Sequence, residues 1–171
     1  MTNCFGRKNL ILIGMPGAGK STVGVVLAKR TSRSFVDTDL LIQTSQEQSL
    51  QEIVNESGYL RLRQIEQEVL LGLEVSHAVI STGGSAVYSE AAMQHLKQNG
   101  LLIFLDVELH DLQQRVGDYQ TRGLARQQGQ SFADLFEERI PLYKKHADLT
   151  ISCSGLTPEA ICEQIVQLDR P

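Results

Sequence analysis

The chain has 171 residues, 42% of them hydrophobic but only 5% aromatic, with 14 glycines, no tryptophan and a formal net charge of −4. That length suits one substantial core rather than two, and the aliphatic, glycine-containing composition points to an α/β domain. The scattered, slightly acidic charge offers no basic stripe for nucleic acid, no stretch approaches the roughly 18 consecutive apolar residues of a membrane span, and the N-terminal MTNCFGRKN lacks a signal peptide's apolar segment. The expected partner is a small molecule and the expected location the cytoplasm.

Three scattered cysteines, Cys4, Cys153 and Cys162, suggest neither a disulfide framework nor a metal cluster. The histidines, His77, His95, His110 and His146, show no His-x-x-x-His spacing and are expected at the surface.

In chain order, Leu10 to Ile13 form an apolar run entering a turn with Gly14, Pro16, Gly17 and Gly19, after which Lys20, Ser21 and Thr22 open a helical pattern. Strand, glycine-rich loop and helix in that order give Gly-x4-Gly-Lys-Ser the context of a phosphate-binding loop. Glycines let successive backbone N–H groups turn inward, the helix N-terminus favours an anion, and the lysine ammonium reaches the outer phosphates. Gly14, Gly17, Ala18, Gly19, Lys20, Ser21 and Thr22 are therefore the expected nucleotide-binding residues, with the Ser21 hydroxyl on Mg²⁺.

Val23, Val26 and Leu27 continue that helix, and Gly24 permits close approach to the sheet. Phe35 and Val36 make a second strand ending in Asp37-Thr38-Asp39, where open parallel sheets bind ligands. Asp37 can hold a metal-bound water, and Asp39 can accept from an acceptor hydroxyl, orienting it or taking its proton. The plainer alternative for this pair is a helix cap plus a solvated carboxylate.

Short helical patterns follow at Leu40–Ile42 and at Leu50, Ile53 and Val54, the latter broken by Gly58. Leu62, Ile65, Val69 and Leu73 then recur on one helix face. Arg63 and Glu66, three apart, are expected to project together, the guanidinium reading an acceptor carboxylate and Glu66 buttressing it through an ion pair.

AVIS at 78–81 predicts a third strand ending in Thr82-Gly83-Gly84-Ser85, and Ser89 caps a helix from Glu90 to Gln98. LLIFL at 101–105 predicts a fourth, its continuous apolar run favouring a sheet covered on both sides. A helix starting near Val107 or Glu108 reaches Arg115 and Val116. Residues 117–130 are polar and basic, the composition of a mobile lid, from which Arg122 and Arg126 can close over phosphates.

Ser131 is the expected cap of the next helix, with Asp134 placed to reciprocate; Arg139-Ile140-Pro141-Leu142-Tyr143 is expected to interrupt it at the proline. A last strand at 148–151 and a helix opened by Pro158 complete the chain. Strands at 10–13, 34–37, 78–81, 101–105 and 148–151 thus predict an α/β, three-layer, doubly wound domain with a five-stranded parallel sheet over residues 1–171. The long stretch 40–76 is the expected substrate-binding subdomain. With no Asn-Lys-x-Asp segment and no strand ending in Asp-Glu, the pattern suits phosphoryl transfer to a small molecule.

This ordered series resembles the shikimate kinase family over residues 8–165. It is carried by the loop Gly14–Ser21, by Phe35-Val36-Asp37-Thr38-Asp39, by Gly58 with Arg63 and Glu66, by Thr82-Gly83-Gly84, by Arg115 and a following lid arginine, and by Arg139-x-Pro141-Leu142-Tyr143 before Ala147-Asp148. The resemblance implies a P-loop fold like that of nucleoside-monophosphate kinases, a monomer, and transfer from ATP with Mg²⁺ to the 3-hydroxyl of shikimate in aromatic amino-acid biosynthesis. It implies that Asp39 contacts ring hydroxyls, Asp37 serves Mg²⁺, Arg63 and Arg139 hold the carboxylate, and Gly83 and Gly84 lie beside the ring. It further implies that Arg115 packs on adenine and that Arg122 is the catalytic lid arginine.

The chain departs from the family pattern at Ser85, where a third glycine is usual, and at Arg122-Gly123-Leu124-Ala125, where Arg-Pro-Leu-Leu is usual. It also reads Gly58-Tyr59 and Leu62-Arg63 for the usual Gly-Glu and Phe-Arg. The alternatives beside this reading are a kinase of the same fold acting on another hydroxylated acid, sugar or nucleoside, and a nucleotide-binding regulatory protein of low turnover.

Overall fold

A computed structural model describes residues 8–116 and 123–168. The fully buried NLILI segment, β1 (Asn9–Ile13), lies at the centre of a five-stranded sheet. Its neighbours are β2 (Ser34–Asp37), β3 (Ala78–Ser81), β4 (Gly100–Asp106) and β5 (Leu149–Ser152), in the order β2-β3-β1-β4-β5 with every pairing parallel. A strand with no solvent-facing side chain requires cover on both faces, which fits the continuous apolar pattern. Its one polar residue, Asn9, is satisfied across the sheet: its side-chain amide donates to the Val75 carbonyl at 2.8 Å and accepts from the Ala78 N–H at 3.0 Å.

The helices are α1 (Lys20–Thr31), α2 (Thr38–Gln46), α3 (Leu50–Ser57), α4 (Tyr59–Leu71), α5 (Glu90–Asn99), α6 (Leu109–Val116), α7 (Phe132–His146) and α8 (Pro158–Leu168). Helix α1 packs on α8 and on β1–β3, and its Gly24 has no room for a side chain, because a Cβ there would lie 2.5 Å from the Phe35 ring. Helices α5 and α7 pack on β4. Parallel pairing puts the loops after β1, β2, β3 and β4 at one edge of the sheet, where ligands bind in open α/β folds.

A second, small apolar cluster joins Ile42, Ile53, Leu62 and Ile65 of α2, α3 and α4 to Ala125. The main core holds the sheet and its covering helices. Among the described residues no helix is long and apolar enough to cross a membrane.

Three expectations are corrected. Helix α7 runs unbroken through Pro141. An interior proline costs about 3 kcal/mol, but Phe132, Leu135, Arg139, Tyr143 and His146 are all buried from this helix, and the capping box of Ser131 and Asp134 fixes its start. His146 is therefore interior, 6% exposed, with burial lowering its proton affinity, rather than a surface residue. Cys153 and Cys162 are buried free thiols. Strand β5 starts at Leu149, since Asp148 instead accepts from the Leu102 N–H at 3.0 Å and pairs with Lys97 at 2.8 Å.

Candidate active site

The loop between β1 and α1 takes its shape from glycines in the left-handed region, Gly17 at φ 82° and Gly19 at φ 88°, which side-chain-bearing residues rarely adopt. Lys20 is buried and donates to the carbonyls of Gly14 at 2.8 Å and Met15 at 2.9 Å. Burial is the main cause lowering its pKa to about 8, against the pull of Asp39, Glu66 and Asp37. Ser21 donates to Asp37 Oδ2 at 2.6 Å, while Asp37 Oδ1 accepts from the Asp39 and Leu40 N–H groups and caps α2. One oxygen of Asp37 thus caps α2, as the plainer alternative has it, and the other holds the Ser21 hydroxyl. The Ser21 hydroxyl and the Asp37 carboxylate form a hard oxygen pair suited to Mg²⁺, which takes few protein ligands beside phosphate oxygens and water.

Beyond the loop opens a cavity of about 380 Å³. Gly17, Gly19, Lys20, Ser21, Thr22 and Arg115 line its nucleotide end, and Asp39, Glu66, Gly83, Gly84, Ser85 and Arg139 the other. Gly14 and Ala18 stand behind this surface, Gly14 through the carbonyl that holds Lys20 and Ala18 through its N–H to the Met15 carbonyl at 3.1 Å. At the far end the backbone comes within contact of the charged groups. A Cβ on Gly83 would sit 2.1 Å from Glu66 Oε1 and 2.7 Å from Asp39 Oδ1, and one on Gly84 would sit 2.8 Å from Arg139 Nη1. A side chain at either position would have to displace these charged groups or, at Gly84, the Pro16 ring as well.

Lys20, Asp39, Glu66 and Arg139 are the ionisable groups that interact most strongly in this cavity. Burial raises the pKa of Asp39, with Asp37 adding to it and Lys20 opposing, and raises Glu66 to about 7, with Asp39 as the next cause. Arg139, 1% exposed, and Lys20 supply the balancing positive charge. Ser85 donates to Glu66 Oε2, leaving Oε1 buried without a hydrogen-bond partner among the described residues. Glu66 does not buttress Arg63 as expected. On α4 the two side chains diverge, because Glu66 turns inward to Ser85 while Arg63 turns to an aromatic wall.

Arg63 lies with its guanidinium carbon 3.6 Å from the Tyr88 ring centroid and 5.0 Å from that of Tyr59. Its Nη2 donates to the Ala125 carbonyl at 3.1 Å, and Arg139 Nη2 donates to the same oxygen at 2.9 Å. Two guanidinium groups from different helices thus converge on one oxygen. That oxygen belongs to a segment seated on α3: Gly123, at φ 58°, donates its N–H to Gln51 Oε1 at 2.7 Å, and a Cβ there would meet Leu50 and Gln51 backbone at 2.5 Å. Proline, with φ near −65° and no N–H, cannot take that place. Arg126 bonds within its own segment, to the Gln130 carbonyl at 2.7 Å, rather than facing the loop. Arg122 lies outside the described residues.

Tyr88 and Ala125 were not legible as site residues. Tyr88 sits on a short turn (Ala86–Tyr88) after the β3 loop, and the only signal for it was that position near a strand's carboxyl end. Tyr143 stacks on Phe104 at 5.2 Å between centroids and donates to the Gly84 carbonyl at 2.6 Å, tying α7 to the β3 loop.

A nucleotide cradle and a charged, closed-in acceptor chamber that share one cavity suit the passage of a phosphoryl group between them, which is the work of a P-loop kinase of small molecules. The profile of the shikimate kinase family matches residues 16–170. The shikimate kinase of Thermodesulfovibrio yellowstonii is 34% identical over 163 residues, covering 94% of each chain. Threonine synthase-like 1 of Homo sapiens is 35% identical over 164 residues, which make up 94% of this chain but 22% of that protein. The structure of shikimate kinase from Acinetobacter baumannii in complex with shikimate superposes with a TM-score of 0.85 at 30% identity, covering 95% of this chain and 92% of that one. The chain belongs to the shikimate kinase family.

Proposed function

We propose that this protein transfers the γ-phosphoryl group of ATP to the 3-hydroxyl of shikimate, giving shikimate 3-phosphate and ADP, and works as a cytoplasmic monomer. The observation that carries the reading is the convergence of Arg63 and Arg139 on the carbonyl oxygen of Ala125, a residue that with Arg139, Asp39 and Lys20 lines one cavity, while Arg63 reaches that oxygen from the neighbouring cavity. A carboxylate there takes over donors that the Ala125 carbonyl now uses, and charge-assisted bonds to two guanidinium groups favour it over a neutral carbonyl. The likeness to the Acinetobacter baumannii enzyme supports the choice of acid.

Asp39 accepts from the acceptor hydroxyl and orients it toward the loop. Lys20 exchanges the Gly14 and Met15 carbonyls for phosphate oxygens and stabilises the charge that builds on them during transfer. Ser21 and Asp37 would hold Mg²⁺, which neutralises phosphate charge when bound. Arg115 lines the nucleotide end and supports the adenine assignment. Residues 40–76 act as the acceptor-holding subdomain and 117–130 as a lid, with Arg122 as its catalytic arginine; the seating of Gly123 and Ala125 against α2–α4 supports a lid that closes on that subdomain.

A coupled assay of ADP release over a panel of hydroxylated acids, sugars and nucleosides tests the proposal, and shikimate-dependent release is expected. Release with another acceptor but not with shikimate would overturn the substrate and keep the kinase, whereas none with any acceptor would favour a regulatory nucleotide-binding protein. Arg63→Ala should raise KM for shikimate by about 5–100-fold, the loss of a charged hydrogen bond.

A further inference from the structure

Acceptor recognition in this reading depends on two arginines from different helices, each with a long side chain that would lose rotamer freedom on binding. Their convergence therefore needs a physical cause, and the carbonyl of Ala125 alone is not one, since a carboxylate would replace it. Tyr88 is the residue that touches both. The Arg63 guanidinium carbon lies over its ring, 3.6 Å from the centroid, and the Tyr88 hydroxyl oxygen accepts from Arg139 Nε at 3.2 Å. The hydroxyl proton is given to Glu138 Oε1, which fixes the direction of the phenol. Burial and this bond keep the Tyr88 proton more tightly held than usual, and the same bond lowers the pKa of Glu138.

We infer that Tyr88 is a positioning residue for acceptor recognition, holding Arg63 by its ring and Arg139 by its hydroxyl so that both present a terminal nitrogen to one point. It acts through the arginines and does not touch the acceptor. Tyr88 lines a second cavity together with Arg63, Gln64, Gln67 and Ser89; neither Tyr88 nor Arg63 is in the wall of the acceptor cavity, and Arg63 meets that wall through the Ala125 carbonyl it shares with Arg139. Glu66 and Ser85 form the partition between the two spaces, lining both. Tyr59, at 5.0 Å, covers Arg63 more loosely, and Tyr88 is the closer of its aromatic contacts among the described residues.

The inference rests on the assignment of Arg63 and Arg139 to the acceptor carboxylate, and its test separates the two. Steady-state kinetics with ATP and shikimate are measured for the wild type, Y88F, Y88L, R63A and the double variant Y88L/R63A. Y88L, which loses ring and hydroxyl, should raise KM for shikimate about 10-fold while KM for ATP and kcat stay within about 2-fold. Y88F keeps the ring and should recover most of that loss, with KM raised about 2–3-fold. If Tyr88 acts through Arg63, the double variant should fall short of the product of the single effects.

R63A without effect on KM for shikimate would overturn the carboxylate assignment and the inference with it. R63A with the expected effect beside Y88L with none, or with KM for ATP rising equally, would overturn the inference alone. So would a double variant whose effects multiply.

Discussion

The two ends of the cavity are built by different means. Apart from Arg115 of α6, the phosphate-loop end comes from one continuous stretch, β1, its loop and the start of α1, and the contacts of its lysine are local: Lys20 bonds to Gly14 and Met15, six and five residues away. The acceptor end is assembled from pieces far apart in the chain. Asp39 comes from α2, Glu66 from α4, Gly83 to Ser85 from the loop after β3, Ala125 from the segment before α7 and Arg139 from α7 itself. Its contacts span the fold, Ser85 to Glu66 across 19 residues and Arg63 to Ala125 across 62. A phosphate cradle is a backbone shape that a short motif can encode, whereas selectivity for one acid needs side chains set by packing.

That contrast predicts separable damage. The largest expected effect is at the nucleotide end: Lys20→Ala should lower kcat by about 10²–10³-fold through lost stabilisation of transferring charge, while KM for shikimate changes less than about 3-fold. Initial-rate kinetics with each substrate varied will read the split. An equal rise in KM for shikimate would mean the two ends are not independent.

The next effect is in stability. Glu66 has its pKa raised to about 7 from an ordinary 4.5, so between those values the folded chain keeps a proton that the unfolded chain has lost. Stability therefore falls as pH rises through this window, and the penalty is complete above about 7. Glu66→Gln, which cannot ionise, should lack that fall. Relative to the wild type it should gain on the order of 1–3 kcal/mol between the low and high ends of the window, measured by urea unfolding across pH. Parallel pH profiles would show that Glu66 is not a strained carboxylate.

A smaller effect is expected at the seat of the segment on α3. Gly123→Ala places a Cβ against Leu50 and Gln51 backbone at a positive φ, and should unseat the Ala125 carbonyl from its two arginines. KM for shikimate should change by about 3–10-fold, with the thermal midpoint shifted by only a few degrees, because the strain of about 1–3 kcal/mol is relieved locally. Unchanged kinetics would show that the seating and acceptor binding are uncoupled.

The sequence carried the sheet well. All five strands fell where apolar runs lay, and the caps at Ser89 and Ser131 were legible from their spacing because capping is a contact between neighbours in the chain. It misjudged places where a local rule met a tertiary one. Pro141 breaks isolated helices, yet α7 continues because its buried face outweighs one lost bond. Arg63 and Glu66 are spaced to pair on a helix surface, yet a hydroxyl at Ser85 and a ring at Tyr88 draw them apart. Gly123 stood out in the sequence only as a departure from the usual proline, and it is the residue whose N–H and φ hold the segment down.

The phosphate loop, the parallel α/β pattern and the family were therefore determined by the sequence itself, since each depends on short local patterns and on their order along the chain. Which oxygens, rings and amides meet Arg63, Glu66 and Arg139 was decided only in the folded molecule. Those partners are brought together by packing between α4, α7 and the loop after β3, and pairing at such separations leaves no periodic mark on the chain.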